Sequence, residues 1–201
     1  GPAAAGKSNF VLLAACHNAK KDKKIIFIDT EGSFSYDRIL QITSGIPEFV
    51  LKNIILLKPT SFEEQKQTFE TLQKEIQKSE NIGLIIVDSM TMLYRLEAAE
   101  LRKKNMEDVK VINTDLAAQV KNLHDIARKR NIPVLITAQV YSEFITLDEW
   151  AAGKLAGVNV VGGDLLKYWS KCILEIQQNK GKRKAIIKKH RSIPERTLNF
   201  D

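Results

Sequence analysis

Residues 1–8 read Gly1-Pro2-Ala3-Ala4-Ala5-Gly6-Lys7-Ser8, a full match to the pattern G-x-x-x-x-G-K-[ST]. That pattern cradles nucleotide phosphates for physical reasons. Glycine at both ends lets the chain turn tightly, so that successive backbone N–H groups converge on an anion. Lys7 supplies a mobile cation for the β- and γ-phosphates, and Ser8 supplies a hydroxyl for Mg2+. The apolar, glycine-free stretch 8–19 reads as the helix whose positive N-terminal end completes the anion site. The candidate nucleotide ligands therefore run from Gly1 through Pro2, Ala3, Ala4, Ala5, Gly6, Lys7 and Ser8 to Asn9 in the first helical turn. A strand feeding this loop would precede Gly1, so the chain reads as clipped just ahead of it.

Outward from the loop, buried runs alternate with helical patterns. The stretches 24–29 (KIIFID), 53–57 (NIILL), 83–88 (GLIIVD) and 133–140 (PVLITAQV) are nearly continuous apolar runs, the mark of parallel strands covered on both faces. Helices are expected near 35–43, 61–78 and 115–130, the second opened by a capping box of Ser61 with Glu64. Further on, 168–177 and 184–190 read as an antiparallel hairpin turning at Asn179-Lys180-Gly181, with one more strand at 197–200. The fold class is α/β: a mostly parallel sheet flanked by helices, extended by a C-terminal antiparallel hairpin. A chain of 201 residues is enough for one such core domain, spanning 1–201. The one long irregular stretch, 141–164, carries four glycines and has the length of a functional loop.

Composition narrows the partners. No apolar run approaches the roughly twenty residues that span a bilayer, so no membrane association is expected. Cys16 and Cys172 make no metal-ligand or C-x-x-C spacing, and both read as small core residues of a cytoplasmic protein. Between residues 167 and 196, ten cations oppose two acids, an excess of eight against a whole-chain charge of +7. A basic patch confined to one end points to a polyanionic partner, with a merely solvated lysine surface as the alternative.

Three strand ends carry the chemistry. Asp88 closes a buried run, where a carboxylate at a parallel strand tip can hold Mg2+ beside a phosphate loop; it could also cap the next helix. Glu31, just beyond the 24–29 run, is the best-placed group to orient a water against a γ-phosphate. Asp29 is expected instead to finish its strand and brace the loop. Gln139 ends the last core run, and its amide can both donate to and accept from a phosphate or its attacking water.

Together GPAAAGKS, FIDTEGSFSYDRI, KPTSFEEQ, LIIVDSMTMLYR, IPVLITAQVY, GGDLLKYWSK and KKHRSIPE resemble the RecA-type recombination ATPases, and among them the archaeal RadB branch. The resemblance implies a RecA-like P-loop core using ATP and Mg2+. Lys7 and Ser8 would hold phosphate and metal, Glu31 would be the catalytic glutamate, Asp88 the second metal-site acid and Gln139 the sensor amide. Arg38 would stack on adenine, as a planar guanidinium does well. Lys189 and Arg191 would reach a neighbouring subunit's nucleotide in a homo-oligomer, or else contact DNA. The implied partners are a recombinase of the RadA type and single-stranded DNA, the latter on Lys180, Lys182, Arg183 and Lys184. Tyr141, Trp150, Tyr168 and Trp169 are available for base stacking.

Departures from the recombinase pattern shape the expectation. The stretch 96–113 is charged, glycine-free and helix-like where recombinases carry a DNA loop; the TNQ triplet becomes Thr137-Ala138-Gln139; and Glu143, Asp148 and Glu149 would repel phosphates. They favour a weakly hydrolysing accessory of homologous recombination and DNA repair over a strand-exchange enzyme. The alternative is an ATP-gated regulatory interaction protein with negligible turnover.

Overall fold

The computed structural model describes residues 1–45, 47–104, 106–142, 158–160, 162–179 and 181–200. These fall into two compact units, 7–137 and 1–6 with 138–201.

In the first unit the order is α1 (Lys7–Ala19), β1 (Lys24–Asp29), α2 (Tyr36–Ile42), α3 (Glu48–Leu51), β2 (Ile54–Leu57) and α4 (Phe62–Lys78). Then come β3 (Ile82–Asp88), α5 (Met92–Leu101), α6 (Met106–Arg130) and β4 (Val134–Ile136). The four strands form a parallel sheet ordered β2-β1-β3-β4. Its register sets Asp29 beside Asp88, so two carboxylates end neighbouring strands on one edge. The apolar runs predict this arrangement: the residues of β1 and β3 are buried on both faces, and those of β2 and β4 are half-buried. Ile25 and Phe27 pack with Leu12, Cys16 and Ile86 in one core cluster. Ile26 and Ile28, pointing the opposite way by the period of two, are equally sealed.

The helix signals hold with small shifts. Ser61 caps α4 by accepting from the Glu64 N–H at 3.1 Å. The Glu64 carboxylate reaches one residue further back than the usual box, to the Thr60 N–H at 2.7 Å, and these bonds hold its carboxyl below the usual range. Along α4, Phe62, Gln65, Phe69, Leu72 and Ile76 keep the three-four spacing of a buried stripe. The expected helix at 115–130 is nine residues longer at its start. Val109 and Ile112 continue its buried face, and the Thr114 hydroxyl, just ahead of the expected start, donates back to the Lys110 carbonyl at 3.0 Å. With α5 this makes 96–101 and 106–113 helical, as the composition implied.

In the second unit, β5 (Val140–Ser142) pairs antiparallel with β6 (Val158–Val160), followed by α7 (Gly163–Trp169). A three-stranded antiparallel sheet closes the chain: β7 (Ile173–Asn179), β8 (Lys182–Lys189) and β9 (Thr197–Phe200). Three expectations change here. The run 133–140 is two strands, because residues 137–139 leave the parallel sheet. Tyr168 and Trp169 end a helix rather than open a strand. Cys172 is exposed, whereas Cys16 is buried as expected. No helix among the described residues is long and apolar enough to cross a membrane.

Candidate nucleotide site

The loop 1–6 folds as a series of tight turns leading into α1. Gly6 takes φ +105, a conformation that glycine adopts without steric cost, and Ala4 takes φ +57. A non-glycine residue in the left-handed region is a local strain of the kind found at functional turns. Gly1 is required for a different reason from the turn assigned to it above. A Cβ there would run into the Ile176 carbonyl oxygen of β7, so backbone approach, not φ, excludes a side chain. Gly1 also takes its place by hydrogen bonds, from its own nitrogen to the Ala138 carbonyl (3.4 Å) and from the Val140 N–H to its carbonyl (3.3 Å). Gln139 therefore has its backbone beside the first residue of the loop. Ser8 and Asn9 lie half-buried in the first turn of α1.

Lys7 is half-buried at the first position of α1. Burial pushes its ammonium below the ordinary lysine value, while the carboxylates of Glu31 and Asp88 pull in the opposite direction. Lys7, Glu31 and Asp88 thus share one electrostatic neighbourhood, the three groups that the sequence assigns to phosphate, water and metal.

Asp88 is fixed from two sides. Its carboxylate accepts from the Ser33 hydroxyl at 2.6 Å and from the Thr137 hydroxyl, and only 1% of the residue is exposed. Asp29 does the bracing expected of it, accepting from the N–H groups of Ser33 (2.9 Å) and Phe34 (3.0 Å) to curl the chain after Glu31. Thr30 and Ser89 tie the two strand ends together: the Thr30 hydroxyl donates to the Ser89 carbonyl at 2.8 Å and accepts the Ser89 N–H at 2.9 Å. The Asp88–Ser89 peptide is cis. Ser33 and Thr137 were not identified in the sequence. Each is a lone hydroxyl whose role depends on a strand far away in the chain, and the only signal was their place just past a strand end.

The remaining predicted residues are more scattered. Arg38, half-buried on α2, donates to Gln41 at 2.8 Å, and its Nε is shielded from solvent without a hydrogen bond. Lys189 at the end of β8 is exposed and donates to the Lys167 carbonyl at 2.6 Å; Arg191 is exposed just beyond it. Along β8 the side chains alternate, leaving Lys182 and Lys184 exposed while Arg183 is half-buried. Tyr168 is 74% exposed and meets Trp169 edge to face. Lys180, Trp150 and the acids Glu143, Asp148 and Glu149 lie outside the described residues, as do Gly153 and Gly157 of the long loop.

The family model of Rad51 matches residues 11–201. The chain belongs to the Rad51 family. Proteins similar to it include DNA repair and recombination proteins called RadB, from methanogens. That of Methanococcus maripaludis (strain C7) is 38% identical over 195 residues, covering 97% of this chain and 82% of the relative. That of Methanocaldococcus jannaschii is 37% identical over 201 residues, covering 100% and 86%, and that of Methanococcoides burtonii 40% over 199 residues, covering 98% and 80%. The crystal structure of a RadB recombinase superposes with a TM-score of 0.71 at 31% identity, covering all of this chain and 83% of that one. Rad51-family proteins are ATPases of the P-loop class.

Proposed function

We propose that this RadB-type chain binds Mg·ATP, hydrolyses it slowly, and assists homologous recombination by contacting single-stranded DNA and a RadA-type recombinase. One observation carries the nucleotide reading: Asp88, held by two hydroxyls at a strand tip, shares its field with Lys7 and Glu31. The donor set suits Mg2+, which takes few protein ligands and fills its octahedron with water and phosphate oxygen. Ser8 and Asp88 supply one hydroxyl and one carboxylate, and no group of three or more His, Cys, Asp or Glu among the described residues would trap a metal unaided. When bound, Mg2+ neutralises charge on the triphosphate.

The chain's own groups do the rest. Main-chain N–H groups of the loop cradle the phosphates, and Lys7 places a cation against them. Glu31 takes the proton of the attacking water, while the Gln139 amide senses the γ-phosphate. Arg38 offers its guanidinium face to the base. Lys189 and Arg191, both exposed, are left for a neighbouring subunit's nucleotide or for DNA.

The helical 96–113 favours an accessory role, because α5 and α6 occupy the sequence position where full recombinases carry a DNA loop. DNA is assigned to the exposed side of the basic hairpin. Reversing both charges, Lys182→Glu with Lys184→Glu, should weaken single-stranded DNA binding by about tenfold or more at low salt and flatten its salt dependence by about one to two phosphate contacts. Fluorescence anisotropy across a salt series measures both. Unchanged affinity with an unchanged slope would return these lysines to the solvated surface.

A further inference from the structure

We propose that Arg183 is a ligand for nucleotide phosphate, supplied by the same chain to its own phosphate loop, and not a DNA contact. The inference rests on the reading of residues 1–8 as a phosphate cradle. Three observations carry it. The first is direction: Arg183 is half-buried, whereas its neighbours Lys182 and Lys184 are exposed on the other face of β8. A polyanion lying on the exposed face meets the two lysines and misses the arginine between them. The second is position. A Cβ built on Gly6 would lie 3.9 Å from the Arg183 Nε and 4.0 Å from its Cδ, so the side chain rests against the glycine that closes the loop.

The third is an unmet need. The Nε of Arg183 is sealed from solvent and makes no hydrogen bond among the described residues. A shielded guanidinium N–H without an acceptor is costly, and an anion against it removes that cost. Phosphate is the natural one, because the guanidinium fork matches its oxygens and keeps its charge at any physiological pH.

The test uses the full chain and isothermal titration with Mg·ATP, Mg·ADP and AMP, with single-stranded DNA binding followed in parallel. For Arg183→Gln we expect about a tenfold loss of ATP affinity, the size of one charge-assisted bond. The loss should be smaller for ADP and smallest for AMP, since the attraction scales with ligand charge. The salt slope for DNA should not move. Arg183→Lys, which keeps the stem against Gly6 and the charge, should recover part of the ATP affinity; it also serves if the glutamine variant folds poorly. Equal losses for all three nucleotides would mean a structural role and overturn the proposal. So would unchanged ATP affinity with a flattened DNA slope, which would make Arg183 a DNA contact. If the unaltered chain takes up no nucleotide, the cradle reading itself fails, which is a different result from a wild type that binds ATP and an Arg183→Gln variant that binds it equally well.

Discussion

Lys7→Ala should weaken Mg·ATP binding on the order of a hundredfold and leave the fold intact. The size follows from what is removed: a charge-assisted bond to phosphate worth about 1.5–3 kcal/mol, plus the cation's attraction for the rest of the triphosphate. Retention of the fold follows from the position. Lys7 opens α1 at a half-buried site where alanine is a good helix former, and burial already disfavours its charged form. The core residues of α1, Val11, Leu12, Ala15, Cys16 and Ala19, are untouched. Titration calorimetry with a thermal melt on the same sample separates lost binding from lost structure. An alanine variant that binds ATP as tightly as the parent would remove Lys7 from the site.

Glu31→Gln should lower ATP turnover by about a hundredfold or more, with nucleotide affinity nearly unchanged. The amide keeps the shape but loses the negative charge, and with it the capacity to take a proton. Its surroundings are set by other groups, since Asp29 and Ser33 shape the turn after β1 and Ser33 also holds Asp88. Phosphate release at saturating ATP, with and without single-stranded DNA, measures the effect. Equal turnover in parent and variant would shift the catalytic role elsewhere. A parent with negligible turnover in both conditions would favour the ATP-gated interaction protein over a working ATPase.

Most of the architecture was legible because burial on both faces writes itself into sequence. The runs at 24–29 and 83–88 have no polar alternation, and both prove to be central parallel strands. Ser61 announced α4 because a cap is a local bond. The errors come from bonds that reach across the chain. The run 133–140 looks continuous, yet its register with β3 ends at Ile136; beyond it the Thr137 hydroxyl donates to Asp88 and its carbonyl accepts from the Met90 N–H (3.0 Å). Tyr168 and Trp169 favour strands by type, but they close a one-sided helix whose only buried residue is Leu166. In the site, the motif residues were readable and their supports were not. Lys7, Glu31 and Asp88 carry a recognisable pattern, while Ser33 and Thr137 act only through strands brought together by folding.

In the proposed site, main-chain amides of residues 1–8, Lys7 and the acids at the strand tips together hold a magnesium-bound triphosphate. Titrating ATP into the chain at high protein concentration, with and without Mg2+, tests it most directly. Saturable heat is expected with Mg·ATP, one nucleotide per chain, with much weaker uptake when Mg2+ is chelated. No heat at any concentration from a folded sample would contradict it.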